Sequence, residues 1–136
     1  MQQDNTLSIP AVIQPIAFTV TPEMALSYGQ LTADFNPLHL DAEFAATTPF
    51  GVPIAHGTSF LGLVLQAVEG AIVPAYFIAD VRVKFTGPVH VGQSVTARGQ
   101  LEDEDAGTYS VFAETDDGKR ALQGTVVVSK RPEPRQ

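Results

Sequence analysis

The 136-residue sequence contains no cysteine. That single absence excludes disulfides, thiolate metal sites and a cysteine nucleophile, and it is compatible with any redox compartment. Cations are scarce as well: eight lysines and arginines stand against fifteen acids, for a formal net charge of -7. A surface that tracks phosphates needs a basic face, so neither nucleic acid nor an anionic membrane is an expected partner. No long hydrophobic run occurs. The longest apolar stretch lies within Ser59–Ala75, where Gln66 and Glu69 interrupt it, and it is too short for a membrane span. The opening residues have no positive region followed by an apolar one, so they do not read as a secretory signal. The default expectation is a soluble, cytoplasmic protein. Motifs are missing too. Without Gly-x-Ser-x-Gly, Ser59 is not expected to be a hydrolase nucleophile. Neither a Gly-rich phosphate loop nor Gly-x-Gly-x-x-Gly occurs. His39, His56 and Asp34 match no compact ligand spacing such as His-Glu-x-x-His. No metal and no separate cofactor is expected.

What is present describes an ordinary globular chain: 44% hydrophobic and 17% charged residues, long enough to bury a core as one domain. No repeat or linker divides it. Residues 1–136 are read as a single domain, with about 1–8 and 130–136 as flexible ends. Ile16–Val20 suggests a first strand. Thr21-Pro22-Glu23 has helix-start chemistry, a capping hydroxyl, a proline suited to the first helical position and an acid at the positive end of the dipole. That helix is expected to end around Tyr28–Leu31, near Gly29, with a loop over Thr32–Leu40. Asp41 caps a second, short helix through Ala46. After the Gly51-Val52-Pro53 breaker comes an apolar helix from Thr58 to about Val73, hydrophobic nearly all round and therefore expected to be surrounded by protein. The remaining chain alternates apolar and polar residues with period two. Val81, Val83 and Phe85, then Val95, Ala97, Gly99 and Leu101, then Tyr109–Thr115 and Arg120–Ser129 read as strands, the last two joined by an Asp116-Asp117-Gly118 turn. Short connections make the sheet mostly antiparallel. A curved antiparallel sheet around one apolar helix is an α+β architecture.

Side chains capable of chemistry concentrate between Thr32 and Ser59. In Asp34-Phe35-Asn36-Pro37-Leu38-His39, Pro37 fixes its own φ and holds Asn36 extended, which predicts a rigid turn rather than a helix. Such a turn can present a carboxylate and an imidazole to one cleft, as a reaction needs when one proton is removed and another delivered. The plainer reading makes Asp34 a turn cap, Asn36 an Asx-type turn and His39 a half-buried histidine. On spacing alone that plainer reading outweighs the catalytic one. His56-Gly57-Thr58-Ser59 lies where the apolar helix begins. Unpaired N–H groups there attract developing negative charge, and Gly57 would let a carbonyl oxygen approach closely, as in an oxyanion hole. Alternatively, Gly57 permits a turn and Thr58 or Ser59 caps the helix. His56 reads as a hydrogen-bonded structural residue. His90 receives no role.

Taken together, Asp34-Phe35-Asn36-Pro37-Leu38-His39-Leu40-Asp41, Phe44-Ala45-Ala46-Thr47-Thr48 and Pro53-Ile54-Ala55-His56-Gly57 resemble the signature of the MaoC-like, (R)-specific enoyl-CoA hydratases. The resemblance extends along nearly the whole chain and is nearest to the short bacterial hydratases that supply polyhydroxyalkanoate synthesis. It implies a hotdog fold, a five-stranded antiparallel sheet wrapped around the helix that begins near Gly57, and a homodimer joined edge to edge. It also implies roles. Asp34 and His39 would activate water, Asn36 would orient that pair, and the Gly57 N–H would polarise the carbonyl of an acyl-CoA thioester. The product would be the (R)-3-hydroxyacyl thioester, with CoA entering only as part of the substrate. The chain departs from many members in having Ala33 where glycine precedes the aspartate and Thr58 where methionine follows His-Gly. A serine found further on in some relatives is replaced by the apolar Leu61–Leu65 run, so Ser59 is assigned only a supporting part.

Three other readings share the fold. A hydratase or dehydratase could act on acyl-carrier-protein thioesters, or on branched or dicarboxylic enoyl-CoA. A hotdog thioesterase would release free thiol, but the Asp–His turn suits water addition better than hydrolysis. A non-catalytic subunit would bind acyl-CoA without turnover, and the intact acid–base pair argues against it. One architecture hosts many activities.

Overall fold

The structure, a computed structural model, describes residues 9–132. Strand β1 (Val12–Thr19) leads into helix α1 (Pro22–Thr32), two short helices α2 (Pro37–Leu40) and α3 (Ala42–Ala46), and the long helix α4 (Gly57–Ala71). Four strands follow: β2 (Tyr76–Phe85), β3 (Ser94–Asp103), β4 (Thr108–Thr115) and β5 (Arg120–Lys130). They form one antiparallel five-stranded sheet in the order β1-β3-β4-β5-β2. This is the α+β hotdog arrangement that the sequence led us to expect. No helix among the described residues is long and apolar enough to cross a membrane.

The sheet curves because its inner face must cover a helix. Phe60, Leu63, Val64, Ala67 and Val68 of α4 are buried. They join Val95, Ala97, Val111, Ala113, Leu122 and Val126 from the strands in one core. Burying each such larger side chain contributes roughly 1.5–3 kcal/mol relative to leaving it in water. The expectation of a helix enclosed on every side is corrected: Leu61 and Leu65 are only half-buried, and Gly62, Gln66 and Glu69 are exposed. A single sheet can cover only one face of a helix. Edge strand β2 shows the same incompleteness, since Val81 and Phe85 are exposed although their period-two pattern is apolar. At the other end of the core, Tyr109 is fully buried and its hydroxyl donates to the Pro10 carbonyl at 2.6 Å.

The ends expected to be flexible, about 1–8 and 130–136, lie outside the described residues except for 130–132. Lys130 closes β5 opposite Tyr76, and Arg131 donates its N–H to Ala75 O at 2.6 Å and its Nε–H to Pro74 O at 2.9 Å.

Helix α1 begins as its sequence implies, with Thr21 Oγ1 accepting the Met24 N–H at 3.0 Å and Pro22 in the first turn. It does not stop near Gly29. Gly29 is buried inside the helix, and a Cβ added there would lie 2.8 Å from the Asp34 carbonyl oxygen. This glycine permits a close approach and does not break the helix. Termination falls to Ala33, whose φ of 59° and ψ of 33° are left-handed. The reversal lets the Asp34 N–H return to Gly29 O at 3.0 Å, closing the helix much as a glycine would.

Two stability measurements follow. A non-glycine residue in this conformation costs roughly 1–2 kcal/mol, so Ala33→Gly is expected to raise unfolding stability by about 1 kcal/mol in urea titrations once the extra freedom of the unfolded chain is deducted. Unchanged or reduced stability would show that the reversal carries no strain. Burial, with the Tyr76 phenol adding to it, pushes the Tyr109 phenol up from 10.0 to about 12. The folded value lies above the unfolded one, so the contribution of Tyr109 to stability is intact below pH 10 and lost as pH rises through about 12. Tyr109→Phe should remove that alkaline component from the pH–stability curve; an identical curve in the variant would contradict the assignment.

Candidate active site

Residues 33–52 pack beside the sheet and helix and contribute little to the core, so polar contacts must hold them. Asp34 is pinned through its backbone. Its N–H bonds to Gly29 O, and its carbonyl accepts from His56 Nε2 at 3.0 Å. Its carboxylate is exposed, with Oδ1 taking the Asn36 N–H at 3.2 Å.

The segment after it was expected to be a turn rather than a helix. In the structure Pro37–Leu40 forms one helical turn, with Pro37 in its first position and Asn36 as its cap. Asn36 Oδ1 accepts the Leu38 N–H at 3.0 Å. Proline prevents a helix from continuing through it but suits a helix start, and asparagine caps well. Asn36 therefore touches both ends of the arrangement, the Asp34 carboxylate through its N–H and the turn that carries His39 through its side chain.

His39 is half-buried. Its Nδ1 lies 2.8 Å from Ile54 O. A carbonyl can only accept, so Nδ1 carries the hydrogen and Nε2 is left as the acceptor in the neutral ring. The main chain at 53–56 ties this region to the body: the Ile54 N–H donates to Leu38 O, Ala55 N–H to Val89 O and Val91 N–H to Pro53 O.

His56 lies under the pair. Its ring stacks on the His39 ring with centroids 4.0 Å apart and planes 29° apart, and the Tyr28 ring lies 5.0 Å away, tilted by 52°. Asp34, His39 and His56 each bring a donor atom within 4.8 Å of the others. That proximity suits acid–base chemistry better than a metal, because two imidazoles sharing an ion must aim their in-plane lone pairs at it, whereas these rings face one another.

Helix α4 starts immediately after His56. Neither Thr58 nor Ser59 caps it, so the alternative reading of this segment does not hold in that respect. Ser59 Oγ donates to His56 O at 2.6 Å and the Ser59 N–H to the same oxygen at 3.0 Å. Ser59 thus supports the first turn, and its hydroxyl hydrogen is already engaged. The Thr58 Oγ1 accepts from the Tyr28 hydroxyl at 2.6 Å. Among the described residues, the Gly57 and Thr58 N–H groups have no protein acceptor, as the opening amides of a helix should. A Cβ at Gly57 would come 3.2 Å from the Phe85 ring, so this position is narrow even for alanine.

The structure thus brings Asp34, Asn36 and His39 together beside the helix start at Gly57, and leaves His90 apart, in a bridge with Ile54. Sequence reasoning missed Tyr28 and Phe85, whose approach is made by tertiary packing; His56 is buried and hydrogen-bonded, as its sequence position suggested. A groove of about 520 Å³ on the sheet between β2, β4 and β5 is lined by Arg82, Lys84 and Arg120 among others. Neither this groove nor the small hollow bordered by Met24, Tyr28, His56 and Ser59 is lined by Asp34 or His39, so the chemistry is assigned from the proximity of those two side chains beside the start of α4.

Comparison with known proteins identifies the family. Residues 10–121 match the MaoC-like domain. The (R)-specific enoyl-CoA hydratase of Aeromonas caviae is 37% identical over 110 residues, covering 75% of this chain and 80% of that protein. The enoyl-CoA hydratase ChsH3 of Mycobacterium tuberculosis is 34% identical over 115 residues, covering 83% of this chain and 40% of that longer protein. Among solved structures, the (R)-hydratase of A. caviae involved in PHA biosynthesis superposes with a TM-score of 0.75 at 29% identity, covering 94% of this chain and 100% of that one. The matched span takes in β1, the Asp34–His39 segment, α4 and the strands through the start of β5, and the chain belongs to the MaoC-like domain family.

Proposed function

We propose that this protein is a hydratase that adds water reversibly to a trans-2-enoyl-CoA and gives the (R)-3-hydroxyacyl-CoA. The observation that carries the reading is the proximity of the Asp34 carboxylate and the His39 imidazole, in a family whose named relatives are enoyl-CoA hydratases. The thioester carbonyl would rest on the Gly57 N–H at the start of α4, where helix-end amides favour an oxyanion. Water between Asp34 and His39 attacks the β-carbon and gives up a proton to the pair. The π electrons move toward the thioester oxygen, and the pair returns a proton to the α-carbon. Carboxylate and neutral imidazole are both acceptors at rest, so whichever takes the water proton becomes the donor, and the site ends as it began. Asn36 keeps the two at a fixed separation. The homodimer is part of the same proposal, supported by the incompletely covered α4 and edge strand β2.

Asp34→Asn and His39→Ala should each fold like the parent and lower kcat/KM for crotonyl-CoA by on the order of a hundredfold or more, followed as loss of enoyl-thioester absorbance. Parent rates in both would remove the assignment. Chiral analysis should return the (R) product; an (S) product would contradict the facial assignment, and release of free thiol would indicate hydrolysis instead. Light scattering should give twice the mass of one chain in solution, and a monomer would refute the dimer.

A further inference from the structure

We infer that His56 is a positioning residue for this reaction, holding both members of the acid–base pair in register from one buried point. The inference rests on the hydratase reading above and extends it. His56 is 3% exposed. Its Nε2 bonds to the Asp34 carbonyl at 3.0 Å, and its ring face lies against His39 with centroids 4.0 Å apart. One side chain therefore contacts the backbone of the acid and the ring of the imidazole.

Its own position is fixed from two sides. Tyr28 flanks the ring and is itself tied to α4 through Thr58 Oγ1. The His56 carbonyl receives both donors of Ser59. The residue also occupies the position that caps α4, with φ -63° and ψ 129°, yet its side chain makes no cap bond. Serine, threonine, aspartate or asparagine is preferred at such a position because the side chain bonds the second or third N–H of the helix. Here the imidazole turns away from its helix toward residues 34–39. A residue serving only α4 would not be placed in this way.

The two contacts act on different properties. The Nε2 bond sets where Asp34 stands, and the stack sets the plane of the His39 ring, whose tautomer Ile54 O already determines. Small errors in either should reduce turnover without much change in substrate affinity, because misplacement of reacting groups by an ångström can cost about a hundredfold. His56 is assigned no proton transfer, because it is buried beneath the pair and meets His39 through its ring face.

The test compares His56→Phe, which keeps an aromatic face without the donor, with His56→Gln, which keeps a donor without the ring, and His56→Ala, which keeps neither. Hydration of crotonyl-CoA should fall about tenfold in kcat for each of the first two and about a hundredfold for the third, with KM within about threefold of the parent. A merely structural residue would lower the urea midpoint while leaving kcat per folded molecule unchanged, and that result overturns the inference, as does a raised KM at parent kcat. Nitrogen-15 spectra of the histidine rings in the unaltered protein give a reading that does not depend on any variant folding. Neutral His56 should carry its hydrogen on Nε2 and neutral His39 on Nδ1; the reverse tautomer at His56 overturns the inference. If Asp34→Asn and His39→Ala lose activity while all His56 variants keep parent kcat, this inference alone fails. If the parent hydrates no enoyl-CoA, the reading beneath it fails as well.

Discussion

The arrangement depends on a short extended segment, residues 53–56, that is bonded on both sides. On one side the Ala55 N–H and the Pro53 carbonyl bond to the chain at Val89 and Val91, in the connection between β2 and β3 that Val89 anchors in the core. On the other, Ile54 accepts from His39 Nδ1 and donates to Leu38 O, and His56 donates to Asp34 O. Residues 33–52 contribute little to the core; Ala45 is the fully buried apolar side chain among them. Hydrophobic burial is non-directional and could not orient a carboxylate against an imidazole. Hydrogen bonds with defined donors and acceptors can, and the strand-like segment supplies them from a support fixed by the core.

That support begins with α4. Its apolar face is buried against the sheet, which sets where its first turn stands, and its first turn follows directly on His56. The same chain positions therefore serve packing and chemistry: Phe60 anchors the helix from within the core, while Gly57 three residues earlier presents its amide at the surface. Phe85 connects the two, with its ring edge on Phe60 and its side against Gly57.

Much of this was legible in the residues. Period-two runs located β3, β4 and β5, and Asp116-Asp117-Gly118 marked their last turn. There Gly118 has a φ of 83°, and Asp117 accepts from the Thr115 hydroxyl and the Lys119 N–H, bonds that hold its carboxyl below the usual range. Thr21-Pro22-Glu23 located α1, and Asp41 capped α3 as its chemistry implied. The errors have local physical causes. Gly29 looked like a helix end because glycine usually is one, but its bare Cα makes room for Asp34, a partner five residues on. Pro37 argued against a helix because it cannot sit inside one, yet it opens one. Asp34, Asn36 and His39 could be named because they lie within six residues of each other. The stack of His56 on His39 and the Tyr28–Thr58 bond join residues 17 and 30 positions apart, and no short-range pattern encodes them.

The remaining constraint comes from the chemistry itself. Water addition requires one ordered water beside the β-carbon and few others, because bulk solvent weakens every electrostatic contact in the site. One chain does not exclude solvent here: the Asp34 carboxylate is exposed, and so are Phe35, Phe44, Phe50 and Val52 on the segment that carries it and Phe85 at the start of α4. Scattered surface apolar residues need no explanation, but aromatic side chains flanking a polar pair leave that pair able to bind water and unable to restrict it. Cover must come from the substrate, from a second chain, or from both. The pantetheine arm of an acyl-CoA would cover the approach to Gly57, and a second sheet set against β2 would extend the wall that Phe85 begins. In the proposed homodimer, association and catalysis would be linked by one requirement, exclusion of water.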